Sequence, residues 1–224
     1  MTLMKKITLT LLALGIILVP LPAAAQFRIP NLTGSGSNSG SNVSNEPVTD
    51  FYAVFLAARV EMNQSQLNLA QAFDLQEQVA LLEAEQVRLA EGNLTASDVK
   101  DSVHLSNSTS EAIDARIHEG AELSEEGRQF FIEALPHLIA GTLLTIELPN
   151  QAESYADQLR QDVNSAGYVR KAQAALKLKD GIQITQQMPG YLKTTATNYR
   201  LVIGYGQDHS IPIPDDATDV LGSL

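Results

Sequence analysis

The chain has 224 residues, a net charge of −11 and no cysteine. The missing cysteine excludes disulfides, thiolate metal sites, cysteine nucleophiles and a lipid-modified N-terminal Cys. The acidity makes nucleic acid and anionic lipid head groups poor partners for the surface as a whole, and the lack of tryptophan argues against a carbohydrate-binding module.

Residues 1–25 read as an export signal. Lys5 and Lys6 form a positive start, and Ile7 to Val19 is apolar apart from Thr8, Thr10 and Gly15. Pro20 and Pro22 end that run, and Ala23, Ala24 and Ala25 supply the small residues of a cut before Gln26. The run is too short to span a bilayer. Cleavage removes two lysines and no acid, so the mature chain carries −13. The expected location is a bacterial periplasm, with secretion beyond an outer membrane as the alternative. With no second long apolar run, the mature chain is expected to have no transmembrane segment.

Residues 26–46 form a linker. The stretch Gly-Ser-Gly-Ser-Asn-Ser-Gly-Ser-Asn at 34–42 holds too little apolar surface to order itself. From Pro47 the pattern becomes helical. Phe51, Phe55, Ala58, Met62, Leu69 and Phe73 recur at three- and four-residue steps, with Ser65 or Gln66 filling a gap. Leu75, Val79, Leu82, Gln86 and Leu89 continue after a small phase shift, and Gly92-Asn93 closes the run. The spacing predicts one helix over 48–92, about forty residues and on the order of 60 Å long.

Asn93 to Asn107 reads as a connector with a short helix, opened by Thr95 and Asp98. A better capping box at Ser108 and Glu111 predicts a helix over 108–148, with Gly120 and Ser124 marking a break or bend. Pro136 predicts a kink near Ile132 or Glu133. Pro149 is expected in the first turn of a helix over 150–179, bent near Asn164 to Gly167 and stopped by Asp180-Gly181. Met188-Pro189-Gly190 reads as a turn before a last helix over 190–205. Ile211 to Pro214 must be extended, and Asp215 to Leu221 reads as one more capped turn. No sequence repeat stands out.

The predicted architecture is all-α: an elongated antiparallel bundle of about four long helices. The bundle domain spans 47–206 and is followed by an extended tail at 207–224. A forty-residue helix outruns shorter partners, so the same stripe also suits a homo-oligomer. Charge is segregated, since residues 46–148 carry eighteen acids and five bases, and residues 149–206 four acids and seven bases. Either the basic helix pairs with its acidic neighbours, or it presents a stripe to an anionic partner.

Candidate chemistry is thin. Asp114, His118 and Glu122 fall at four-residue steps, and Glu133 and His137 form a second such pair. These are metal-ligand types, but the Glu-x-x-His of carboxylate-bridged bundles is absent. Ser110, Asp114 and His118 share a stripe, yet a triad needs convergent side chains and an oxyanion site. Leu138 to Leu148 is apolar with small residues at 140–142, which suits a buried core or a cavity for a lipid-like ligand. Val202 to Gly206 resembles the Val-Gly-Tyr-Gly signature of potassium-channel filters. That filter requires flanking membrane helices, so the segment reads here as a helix end with Tyr205 against the core.

No catalytic residue, metal ligand set or cofactor is assigned. The expected function is that of a non-enzymatic exported bundle acting by protein contact, as an accessory, adaptor or scaffold subunit, with a protein partner or a second copy. A carrier of an apolar molecule inside the bundle and a metal-binding bundle are the alternatives.

Overall fold

The structure, a computed structural model, describes residues 47–224. The signal at 1–25 and the linker at 26–46 lie outside the described residues. The helices are α1 (Pro47–Ala72), α2 (Gln76–Ala90), α3 (Ala96–His118), α4 (Glu125–Ser165), α5 (Tyr168–Asp208) and α6 (Asp216–Leu221). There is no strand among the described residues, and the fold is the all-α bundle that the periodicity predicts.

The five long helices alternate in direction. Phe51 stacks on Tyr155, and Phe73 meets Phe131 edge-on, so α1 and α4 are antiparallel. Thr185 reaches the carbonyl of Ala152, and Gly206 packs beside Phe131, so α4 and α5 are antiparallel as well. Asp114 pairs with Asn198, and the Tyr205 hydroxyl donates to the carbonyl of Ala121, so α3 and α5 run parallel. Helices α1, α4, α5 and α3 close a ring in that order, with α2 outside it against α1 and α3. A close seam between α4 and α1 is at Gly141. A Cβ there would lie 2.9 Å from the backbone nitrogen of Met62, so only glycine lets α4 approach α1 this far.

The predicted helix over 48–92 does not form. Asp74 takes a left-handed φ of 56°, and α2 folds back along α1. The phase shift between Phe73 and Leu75 is this turn. Doubling back buries Leu82 against Leu67 and Ala70, and lets the Asn63 amide donate to the carbonyl of Leu82 at 3.1 Å. A straight helix would leave Leu82 and Leu89 in water.

Helix α3 starts at the Thr95 and Asp98 capping box, where each residue's backbone N–H reaches the other's side chain. The expected start at Ser108 is overturned. Ser108 lies inside α3 and donates to the carbonyl of Leu105, while Ser110 is buried and accepts from Gln66. The helix predicted over 108–148 is instead split, by Gly120 at φ 70° and by Ser124, whose hydroxyl accepts from the backbone of Gly127.

Farther on, three expected boundaries are absent. Helix α4 runs through Pro136 and Pro149, and α5 runs through Gly181 and Pro189. Conversely, the bend expected at Asn164 to Gly167 is a true break. Gly-x-x-x-Thr-x-x-x-Pro occurs in both helices, as Gly141, Thr145, Pro149 and as Gly181, Thr185, Pro189. In each, the threonine hydroxyl donates to the glycine carbonyl four residues back. This repeat escapes a reading by hydrophobic period because its members differ in what they touch. Gly141 meets the backbone of α1, whereas a Cβ on Gly181 would strike Leu159. A proline inside a helix costs about 3 kcal/mol. The long interface between α4 and its neighbours offsets that cost.

Residues 207–224 are extended only over Ile211 to Pro214 and then form α6. Ile211, Ala217 and Val220 are buried, and the Tyr199 hydroxyl donates to the carbonyl of Ala217 at 2.8 Å. An 18-residue window of α4, with mean hydropathy 1.4, is long and apolar enough to cross a membrane, and half of it is buried in the bundle.

Candidate functional site

Two regions carry polar or charged groups that the fold alone does not require. One is inside the bundle, and the other is at the α4–α5 end.

The interior holds two main apolar clusters. One includes Phe51, Phe55, Leu148 and Met188, and the other Leu69, Phe131, Leu138 and Val202. Between them runs a polar layer. Arg59 is 0% exposed; its Nε donates to Ser102 at 2.7 Å and its Nη1 to the Tyr191 hydroxyl at 3.3 Å. Glu85 enters from α2, accepts from Ser102 and stands 3.9 Å from Arg59 Nη2. Two turns farther along α1, Gln66 donates to the carbonyl of Ser106 and to Ser110. Thr142, Thr145, Thr195 and Asn198 continue the layer across α4 and α5. Such a layer ties α1 to α2, α3 and α5 around one buried cation. Its chemistry is that of a buried ion pair, which specifies an arrangement more than it stabilises one. The sequence signal was the gap in the apolar stripe at Ser65 and Gln66. Arg59 gave no signal, because an arginine on a helix is ordinarily solvated.

The other region is the end of the α4–α5 hairpin. Helix α3 begins at Ala96, and its parallel register with α5 puts that residue level with about residue 180. From Tyr168 to Asp180, helix α5 therefore runs about 18 Å past the start of α3. In that stretch Tyr168 is 96% exposed and Leu176 65%; among the large apolar side chains of the described residues only Val87 on α2, at 67%, falls between them. Beside them stand Arg170, Lys171, Lys177 and Lys179, all exposed. Farther along α5 are Lys193 and Arg200, also exposed. None of these six cations joins an ion pair among the described residues. The pairs that form are Arg59–Glu85, Arg88–Glu85, Arg88–Asp98, Arg116–Glu119, Glu61–His137 and Arg160–Asp157. Of the two readings of the charge segregation, pairing with the acidic helices is not what the structure contains.

The metal-ligand types are not brought together. His118 Nδ1 lies 2.7 Å from the carbonyl of Asp114 and closes its own helix end. The Asp114 carboxylate accepts from Asn198 at 2.7 Å, and burial raises its pKa above the ordinary aspartate value. Glu122 is past the break at Gly120 and off the helix. His137 pairs with Glu61 on α1 at 2.7 Å rather than with Glu133. No group of three or more His, Asp or Glu side chains able to hold a metal occurs among the described residues. Ser110 is buried and its hydroxyl oxygen accepts from Gln66, so the stripe Ser110, Asp114, His118 presents no hydroxyl to solvent. Around Leu138 to Leu148, the small residues serve the close approach at Gly141, which leaves no ligand space on that seam. Tyr205 is buried against Phe73 and Phe131 inside α5, as a helix segment and not a filter loop.

Comparison with protein families, curated proteins and solved structures returns no match for this chain.

Proposed function

We propose that this is an exported, non-enzymatic helical bundle that acts by contact, as an accessory, adaptor or scaffold subunit. The contact surface is the free end of the α4–α5 hairpin, and the partner is an acidic protein surface. The observation that carries the reading is the set of unpaired cations around Tyr168 and Leu176 on a chain whose net charge is −11. A soluble monomer seldom keeps a large aromatic almost wholly in water beside a concentration of like charge. A second copy of this chain qualifies as the partner, because residues 46–148 are strongly acidic. The leader at 1–25 supports a periplasmic location.

The test uses a photo-crosslinking phenylalanine analogue at Tyr168, in cells of the native host. The expected result is one discrete adduct in the periplasmic fraction. It should weaken in K171E/K177E and in 1 M salt, where the Debye length is about 3 Å. An adduct indifferent to charge reversal, or none at Tyr168 while the same label at Val87 on α2 captures a protein, refutes the reading. Recovery of the uncleaved chain from the cytosol refutes the location.

A further inference from the structure

We propose that the groove between α4 and α5 at Pro149 and Pro189 is a binding site for a single-chain anionic amphiphile, a long-chain carboxylate.

The groove follows from the repeated motif. Ala152 stands level with Thr185, and Phe131 with Gly206, so the antiparallel register sets Pro149 level with Pro189. Neither proline has an N–H, and the rings present carbon to the surface where other residues present backbone polar groups. Ile146, Leu192 and Ala196 extend this apolar floor along both helices, and the cavity measures about 510 Å³. That volume is in the range of small-molecule sites. Ser223 and Leu224 close one side.

Lys193 and Arg200 line the same groove. They are two turns apart on α5, about 10 Å along the axis. Their long stems reach toward one head group between them. Neither is in an ion pair among the described residues. The Thr197 hydroxyl, also at the groove, donates to the carbonyl of Lys193 at 3.0 Å and so does not compete for the ligand head. An apolar floor flanked by two unpaired cations, on a protein that is otherwise acidic, is complementary to an apolar chain with one negative end. A neutral hydrocarbon would leave the cations unused, and a cationic amphiphile would meet repulsion. A carboxylate head suits both side chains, since guanidinium and ammonium groups both donate to it.

This site is distinct from the hairpin end and stands whether or not that end binds a protein. The experiment is titration of the mature protein with laurate below its micelle concentration, followed by isothermal calorimetry, with dodecyltrimethylammonium as the sign control. Laurate is expected to bind saturably at one per chain, and roughly tenfold more tightly than the cationic analogue, the size expected of two exposed charge contacts. Charge reversal in K193E/R200E should invert that preference. Thr197→Trp fills the groove and should abolish binding of both, with circular dichroism confirming that each variant is folded. Equal affinity for the two head groups overturns the proposal. So does laurate binding that survives both K193E/R200E and Thr197→Trp, or the absence of saturable binding to the wild type.

Discussion

The two ends of α5 are built from the same helix and treated in opposite ways. From Ile184 to Ile203, one face buries Met188, Tyr191, Tyr199 and Val202 against three neighbouring helices. From Tyr168 to Asp180, the helix runs beside the end of α4; Leu178 is partly buried, and Tyr168 and Leu176 face water. The first half is shaped by packing, where each side chain answers to a neighbour. The second half has few such constraints inside the chain beyond Leu178, so the exposure of Tyr168 and Leu176 points to something outside it. Substitutions that respect this division should separate stability from contact.

The largest expected effect is at the buried cation. Arg59→Ala empties a fully buried site and removes the donor to Ser102 and Tyr191, while Glu85 keeps Arg88, and should cost about 2–5 kcal/mol in urea unfolding. A loss below about 1 kcal/mol would mean that α2 and the ring are not coupled through this residue. Next is Gly141→Ala. Its Cβ would meet the α1 backbone, which cannot swing aside as a side chain can, so a loss of about 1–3 kcal/mol is expected. A neutral result would show that the α1–α4 seam is looser than drawn.

Asp114→Asn should act with the opposite sign. Burial raises the native pKa of Asp114 above its unfolded value, so the native state binds the proton more tightly. The stability this group contributes is fully present below the ordinary aspartate value, and it is lost as pH rises through the raised native value. Asparagine keeps an acceptor for Asn198 and has no charge to bury. The variant should be at least as stable as wild type at pH 7, with that advantage shrinking along the acid limb of thermal melts taken across that window. A less stable variant with an unchanged limb would show that the charge itself is needed.

The smallest effect on stability is expected at the hairpin end. Leu176→Ser and Tyr168→Ser should change the unfolding free energy by less than about 0.5 kcal/mol, while reducing crosslinking at that end. Substantial destabilisation by either would return these residues to the core and remove the contrast.

Much of the fold was legible because some signals are local. The Thr95 box, the break at Gly120 and Ser124, and the extended Ile211 to Pro214 each rest on one residue's backbone preference or one short hydrogen bond. Other boundaries were misread for the opposite reason. Pro149, Gly181 and Pro189 are helix breakers by propensity, yet they lie inside helices that bury a face over most of their length. The turn at Asp74 has no glycine or proline to announce it. The candidate contact site was half legible, since the basic character of α5 is plain in the residues, while their exposure and lack of ion partners depend on where the other helices begin.

By itself, then, the chain's pattern of apolar and charged residues determined that the protein is helical and that its charge is divided between halves. Only the tertiary structure decided that α2 doubles back, that the proline-bearing helices stay continuous and that Arg59 is sealed inside. The reason is one of scale: a cap or a turn is set by contacts a few residues apart. Whether a breaker breaks, or a cation is tolerated in the core, is set by burial summed over helices far apart in sequence.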